Sequence, residues 1–191
     1  ASAAAALASR EAAVAALERE GLTSDELARG FETYLGVRRR QEIIGQTRGI
    51  TVVDDFAHHP TAVRLTLEAL RLRFGERRLW AIFEPRSATS RRNIFQDAYA
   101  EAFDACDLAV VAPPQDLARI PEAERFDAAL LVRALRSRGK EAALWGVGPD
   151  GPLSPNIGAD AIVAQVAANA APGDVVAILS NGGFGGLHQK L

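Results

Sequence analysis

The hydrophobic pattern of this chain alternates between short apolar runs and stretches with the 3.6-residue period of amphipathic helices. The apolar runs predict buried strands at 79–83, 108–112, 142–145 and 175–179. Helical periodicity fills the segments around them, at 61–74, 90–103, 126–138 and 160–169. Strands that alternate with helices in this way are typical of a mostly parallel sheet with helices packed on both faces.

The part of the chain before residue 54 follows a different pattern. An alanine-rich helix is predicted over residues 2–20, and Ser24 is predicted to cap a second helix that runs to about Tyr34. Residues 41–53 then predict a β-hairpin with Gly49 in its turn. The predicted fold class is therefore α/β, a Rossmann-like, mostly parallel sheet with an N-terminal β-hairpin and helices on both faces, preceded by a short helical segment. Further along, the glycines and prolines of residues 146–158 predict a loop.

The amino-acid composition limits the classes of function that this chain can have. The chain has 191 residues with 22 basic and 24 acidic side chains, a balance that does not favour nucleic-acid binding, which needs a clustered basic face. No apolar stretch approaches the ~20 residues of a membrane span, so we expect a cytoplasmic protein with no membrane partner. The single cysteine, Cys106, cannot form an internal disulfide and is expected to pack as a small core residue.

Polar and glycine-rich segments follow the predicted strands at their carboxyl ends, where ligands bind in folds of this kind. They lie at 54–59, 84–90, 112–116 and 180–186. The segment 180–186 is either a turn fitted around a small polar ligand or a plain strand-to-helix connection. The Gly-x-x-x-x-Gly-Lys-Ser/Thr phosphate loop is absent from the sequence.

Two aspartates leave a predicted strand together, so their side chains start on opposite faces of the sheet. Asp54 is interpreted either as a cap for the following helix or as part of the site. Asp55 is the candidate for ligand contact, because a carboxylate at the end of a strand can accept hydrogen bonds from both hydroxyls of a ribose.

The next candidates are two histidines and an arginine. His58 and His59 are adjacent and their side chains diverge, so they do not predict a zinc site; they orient the loop, donate a hydrogen bond to substrate, or fill structural positions. Arg86 follows a proline and lies near a predicted helix start. Its guanidinium fits recognition of an acidic substrate, with a surface ion pair as the alternative.

Four motifs, in order along the chain, carry a family resemblance. They are Gly36-Val37-Arg38-Arg39-Arg40-Gln41-Glu42, the segment 49–61 with its Asp-Asp-Phe-Ala-His-His-Pro-Thr ending, Phe83-Glu84-Pro85-Arg86-Ser87, and the segment 180–188. The chain resembles the C-terminal domain of the Mur ligases, ATP-dependent enzymes that form amide bonds in peptidoglycan synthesis. The last two motifs resemble the branch that joins the murein tripeptide L-alanyl-γ-D-glutamyl-meso-diaminopimelate to UDP-N-acetylmuramate in peptidoglycan recycling.

The resemblance implies roles for particular residues. By position in the motifs, Arg40 and Asp55 would contact ATP, and the loops of this domain would hold the incoming peptide. The predicted substrate-binding residues are His58, His59, Arg86, Ser87, Ser180, Asn181 and Phe184. The expected chemistry is phosphorylation of the muramate carboxylate, attack of the alanyl amine on the acyl phosphate, and loss of phosphate.

The resemblance also implies that the chain is the C-terminal part of a longer enzyme. Residues 1–35 are interpreted as the helical tail of a central ATPase domain, and residues 36–191 as the Mur ligase C-terminal domain. ATP and Mg²⁺ would be bound mainly by the central domain. The partners would be UDP-N-acetylmuramate, the tripeptide, and the central and N-terminal domains of the parent chain. The fragment alone is predicted to be inactive. Two alternatives stay open, a UDP-N-acetylmuramate–L-alanine ligase domain and a non-catalytic nucleotide- or peptide-binding module.

Overall fold

The computed structural model describes residues 14–33, 36–144, 147–148, 151–152 and 159–191. Contacts divide the chain into two units, Ala1–Val37 and Arg38–Leu191. In the first unit, residues 14–19 are helical and helix α1 spans Ser24–Thr33. The start of the first predicted helix, over residues 2–13, and Tyr34 lie outside the described residues.

Helix α1 is capped one residue earlier than the sequence predicts. The amide of Glu26 donates to Oγ1 of Thr23 at 3.3 Å, and the amide of Thr23 donates to the Glu26 carboxylate at 2.9 Å, which is a reciprocal capping box. The prediction that Ser24 is the cap was wrong, because Ser24 is already the first helical residue and its hydroxyl donates instead to Glu18.

A six-stranded sheet forms the centre of the second unit. Its strands are β1 (Glu42–Thr47), β2 (Ile50–Asp55), β3 (Leu79–Phe83), β4 (Leu108–Val111), β5 (Glu141–Leu144) and β8 (Val175–Leu179), in the order β1-β2-β8-β3-β4-β5. The β1–β2 pair is antiparallel and every other neighbouring pair is parallel. The predicted α/β class, with its mostly parallel sheet and N-terminal hairpin, is confirmed.

Strands β1 and β2 form the predicted hairpin with Gly49 in its turn, and the turn has two residues. Thr47 pairs with Ile50, and the intervening Arg48 and Gly49 have φ angles of 50° and 79°. Two consecutive positive φ angles are typical of a type I′ turn, whose twist matches that of the flanking strands. Within the predicted loop at 146–158, the structure adds a short antiparallel pair, β6 (Val147–Gly148) with β7 (Gly151–Pro152).

Helices cover both faces of the sheet. They are α2 (Pro60–Phe74), α3 (Gln96–Ala102), α4 (Ala128–Ser137), α5 (Ala159–Asn169) and α6 (Leu187–Lys190). Buried side chains of α2, α3 and α4 form one core cluster with one face of the strands, and those of α5 and α6 form a second cluster with the other face. Burial on both faces explains why the strands are apolar without a break. In the described part of the chain no helix combines the length and the apolar character that crossing a membrane requires.

The helix predicted at 90–103 starts later than expected. The amide of Ser90 donates to Oγ of Ser87 at 2.9 Å, and Arg92 pairs with Arg125 in an isolated antiparallel bridge. These contacts hold the chain in a turn, so a 3-10 helix at Asn93–Phe95 precedes α3. The prediction that the helix starts at residue 90 was wrong, because non-local pairing outweighs local helical propensity here.

Candidate functional site

The carboxyl ends of three adjacent parallel strands meet at one edge of the sheet, called the carboxyl edge below. Leu179 at the end of β8 pairs in register with Asp55 of β2 and with Phe83 of β3. The polar residues at this level are buried, with exposed fractions of 7% or less. These buried residues are Asp54, Asp55, Glu84 and Ser180. Since burying polar groups is costly unless they are hydrogen-bonded, their partners define the site.

Asp54 is buried and contacts the side chains of Arg39 and His188. Nε of Arg39 donates to Oδ2 of Asp54 at 3.0 Å, and Nε2 of His188 lies 3.1 Å from Oδ1. Burial by itself raises the pKa of Asp54, but the contacts with His188 and Arg39 outweigh burial, so the pKa lies below its ordinary value. The interpretation of Asp54 as a helix cap was wrong, because β2 continues to residue 55 and His59 is the residue that caps α2.

Asp55 binds two backbone amides on the other side of the strand from Asp54. Its Oδ2 accepts from the N–H of Gln41 at 2.9 Å, and its Oδ1 accepts from the N–H of Ala57 at 2.7 Å. The bond from Gln41, the residue after Arg40, holds the turn against the end of β2. Each carboxylate oxygen can still accept a second hydrogen bond, so contact with a ribose stays a prediction for this residue.

Arg40 is exposed beside this turn. Its guanidinium carbon lies 4.9 Å from the centre of the Phe56 ring, a distance that suits a cation–π contact, and its Nη1 donates to the carbonyl of Arg39 at 3.0 Å. The two residues predicted to contact ATP therefore lie in segments that a hydrogen bond joins, Arg40 in the turn before β1 and Asp55 at the end of β2.

The two predicted histidines both hold the loop that follows β2. Nδ1 of His58 lies 2.9 Å from the carbonyl oxygen of Phe56, and the two rings meet edge to face. Nδ1 of His59 accepts from the N–H of Thr61 at 3.3 Å, which caps α2, and its ring packs against Phe95. Of the interpretations left open, these contacts favour the one in which the histidines orient the loop.

The segments after β3 and β8 join through a chain of hydrogen bonds. The hydroxyl of Ser180 donates to Oε2 of Glu84 at 2.5 Å and accepts from the amide of Gly182 at 3.0 Å. Nη1 of Arg86 lies 3.7 Å from Oε1 of Glu84, and the Arg86 side chain is 54% exposed. Arg86 lies directly on Gly182, where an added Cβ would be only 2.2 Å from Cδ of the arginine. The carboxyl edge therefore presents an exposed guanidinium backed by a buried carboxylate.

The remaining predicted substrate-binding residues differ in what they offer a ligand. Oδ1 of Asn181 is buried and has no hydrogen-bond partner among the described residues. Oγ of Ser87 accepts from the amide of Ser90, which orders the loop. Phe184 is 1% exposed and packs in the core cluster on the α5 face. Its ring offers no surface to a ligand, and substrate contact by Phe184 stays a prediction that its burial does not favour.

Three residues of this edge were missed by the sequence analysis. Glu84 follows directly after a buried strand, which is the same signal that identified Asp54 and could have found it. Arg39 is one of three consecutive arginines in the first motif, and a short basic run of this kind is usually explained by a solvated face. His188 has no local signal, because only the tertiary fold brings α6 to Asp54.

Metal-ligating side chains are not clustered in the described part of this edge. In the residues that the structure describes, no three His, Cys, Asp or Glu side chains are grouped so that they could hold a metal ion. Mg²⁺ in proteins is typically held by one or two carboxylates together with substrate phosphates. We therefore assign no step of the chemistry to a metal ion bound by these side chains.

Comparison with known proteins identifies the family. Residues 39–182 match the family described as "Mur ligase, glutamate ligase domain". The chain is 36% identical over 180 residues to the UDP-N-acetylmuramate–L-alanyl-γ-D-glutamyl-meso-2,6-diaminoheptandioate ligase of Escherichia coli K12, a match that covers 94% of this chain and 35% of that protein. It is 44% identical over 97 residues to the UDP-N-acetylmuramate–L-alanine ligase of a Roseiflexus species, covering 51% of this chain and 20% of that protein.

A solved structure agrees with the sequence matches. The murein peptide ligase of Psychrobacter arcticus superimposes on the chain with a TM-score of 0.64 at 32% identity, covering 94% of this chain and 34% of that one. The chain thus spans about a third of the length of the tripeptide ligase of E. coli and of this solved relative. The family match, the identity to the E. coli ligase and the shared fold together show that this chain belongs to the Mur ligase family.

Proposed function

We propose that this chain is the C-terminal, substrate-binding part of an ATP-dependent ligase that joins the murein tripeptide to UDP-N-acetylmuramate in peptidoglycan recycling. The observation that carries the proposal is the 36% identity to the E. coli tripeptide ligase, which extends over 94% of the chain. The contacts at the carboxyl edge support it, because they arrange candidate groups for both a nucleotide and an acidic peptide side by side.

In this proposal the carboxyl edge holds reactants in place. The turn that carries Arg40 and the end of β2 that carries Asp55 receive ATP, and the loops that carry Arg86 and Asn181 receive the peptide. An exposed guanidinium suits a peptide rich in carboxylates, and an unpartnered amide oxygen suits an N–H donor. Holding the amine near the acyl phosphate supplies the orientation part of the rate enhancement, while the central domain of the parent chain supplies contacts to phosphates and Mg²⁺.

The first test is ligation by the full-length parent enzyme. With ATP and UDP-N-acetylmuramate, we expect kcat/KM for the tripeptide to exceed that for L-alanine by about 100-fold or more, because a site built for polar groups rejects a substrate that lacks them. The 191-residue chain alone is expected to form no product. Product formation is followed by release of inorganic phosphate and by mass spectrometry of the ligated nucleotide.

Each rival function predicts a different result in this assay. An L-alanine ligase, which the 44% identity over 97 residues to the Roseiflexus enzyme favours, would show the opposite substrate preference. A non-catalytic module would release no phosphate in the full-length protein with either substrate. ATP-dependent ligation by the 191-residue chain alone would contradict the assignment of phosphate chemistry to the absent domain.

The second test concerns the nucleotide side of the carboxyl edge. Asp55→Ala in the full-length enzyme is expected to raise KM for ATP by about tenfold, since a hydrogen bond to a charged group contributes roughly 1.5–3 kcal/mol. The KM for the peptide is expected to stay within about twofold. Steady-state kinetics with each substrate varied in turn measures both constants. Glu68→Ala is a suitable control, because Glu68 forms an exposed ion pair with Arg64 on α2. A variant that loses peptide affinity and keeps its affinity for ATP would show that Asp55 does not serve the nucleotide.

A further inference from the structure

Arg39 connects the turn proposed to bind ATP with the loop proposed to bind the peptide. Its backbone belongs to the turn, where its N–H donates to the Glu42 carboxylate at 2.7 Å and its carbonyl accepts from the N–H of Phe56 at 2.9 Å. Its φ angle of 56° is in the left-handed region, which a non-glycine residue keeps only where its surroundings hold it. The same carbonyl accepts from Nη1 of Arg40, so the position of Arg39 sets that of Arg40.

The side chain of Arg39 reaches across to the loop that follows β8. Nη2 donates to the carbonyl of Ser180 at 2.8 Å and to the carbonyl of Gly182 at 2.9 Å. Those two carbonyls flank Asn181, so one nitrogen fixes the backbone on both sides of the residue with the unpartnered amide oxygen. Nε meanwhile donates to Asp54, which anchors the guanidinium to the end of β2.

We propose that Arg39 is a positioning residue that couples the two halves of the site, holding Arg40 for ATP and Asn181 for the peptide. This inference rests on the proposed function. The geometry requires an arginine, because a planar guanidinium presents several donors in a fixed arrangement, whereas a lysine ammonium is a single point charge on a flexible stem. Asp54 acts through Arg39, because it binds Nε of the guanidinium, and His188 contacts both Asp54 and Nη2 of Arg39.

The test is Arg39→Lys in the full-length enzyme. The lysine keeps a positive charge for the buried Asp54 but cannot reproduce the fork of bonds to the loop. We expect KM for ATP and KM for the peptide both to rise, each about fivefold or more, because both segments lose their common anchor. Two variants show what the loss of one ligand contact does by itself. Arg40→Ala should raise KM for ATP alone, and Asn181→Ala should raise KM for the peptide alone.

Arg77→Lys provides a matched control at the opposite end of the sheet. The guanidinium of Arg77 also donates to two backbone carbonyls of one loop, those of Gly173 and Asp174. Both lysine variants are expected to melt at a lower temperature than the wild type, but Arg77→Lys should leave both KM values unchanged. If Arg39→Lys behaves like Arg77→Lys, Arg39 merely stabilises the fold, and if it changes one KM only, Arg39 serves one side of the site. Either result shows that the inference is wrong.

Hydrogen exchange on the wild-type full-length enzyme tests the same coupling if Arg39→Lys does not fold. A non-hydrolysable ATP analogue added alone should slow amide exchange over residues 180–183, and the tripeptide added alone should slow it over residues 39–42. Protection confined to the segment that contacts the added ligand overturns the inference. Failure of the wild-type enzyme to ligate at all would instead overturn the proposed function, so the two failures are distinguishable.

Discussion

Gly182→Ala is expected to remove most of the affinity for the peptide while leaving the fold intact. A Cβ at this position would lie 2.2 Å from Cδ and 2.5 Å from Nε of Arg86, so the arginine side chain must leave its place. The backbone of Gly182 does not have the positive φ that strains an alanine, and Arg86 is half exposed and free to move into solvent. In the full-length enzyme, KM for the tripeptide should therefore rise about 10- to 100-fold, the equivalent of one charge-assisted contact.

The neighbouring glycine supplies the control for this prediction. Gly183 has a φ of −82°, and an added Cβ there would meet nothing within 4 Å. Gly183→Ala should consequently leave both the melting temperature and the kinetics unchanged. Arg86→Ala should reproduce the kinetic defect of Gly182→Ala, and the double variant should add little to it, since both changes remove one interaction. A normal KM in both Gly182→Ala and Arg86→Ala would show that Arg86 does not hold the peptide.

Asp174→Ala is expected to lower the free energy of unfolding of the chain by about 3 kcal/mol, because it breaks a buried, charge-assisted network. Asp174 is 4% exposed, and its Oδ2 accepts from Nη2 of Arg78 at 2.6 Å and from the indole N–H of Trp80 at 3.0 Å. The same oxygen accepts from the amide of Ala171 at 3.0 Å. Urea denaturation of the 191-residue chain measures the loss.

An exposed ion pair with the same distance between nitrogen and oxygen provides the comparison. Lys190 and Asp160 also approach to 2.6 Å, but the Asp160 side chain is 82% exposed. Water competes for such a pair, so Asp160→Ala should change the unfolding free energy by less than about 0.5 kcal/mol. Equal losses in the two variants would mean that burial does not decide the strength of these pairs. Asp174 lies before β8, whereas the candidate site lies after β8. In the full-length enzyme, neither variant should therefore alter KM for ATP or KM for the peptide.

The contribution of Asp174 should also depend on pH in a defined direction. Burial raises the pKa of Asp174, but hydrogen bonds from Arg78, Ala171 and Trp80 outweigh burial and place the pKa below its ordinary value. A carboxylate with a lowered pKa in the folded state stabilises the protein above its unfolded pKa, and this stabilisation is lost as the pH falls. The stability difference between the wild type and Asp174→Asn should therefore shrink below about pH 4.

The central strands of the sheet were predictable because they are buried on both faces. Strands β3 and β8 coincide with the predicted runs at 79–83 and 175–179, since a strand buried on both faces must be apolar throughout. The start of α3 was not predictable, because the bridge from Arg92 to Arg125 and the bond from the amide of Asp127 to Gln96 join segments about 30 residues apart. Local propensity carries no information about such contacts.

The sequence by itself determined the fold class and indicated the edge of the sheet at which the candidate site lies. Both depend on local signals, namely apolar runs, helical periods and the polar residues that end parallel strands. Only the tertiary structure decided which of those residues pair. Arg39 bonds to residues 15, 141 and 143 positions away in the chain. Those partners meet because β8, the last strand along the chain, lies between β2 and β3 in the sheet. This position brings the loop after β8 beside the turn that carries Arg39.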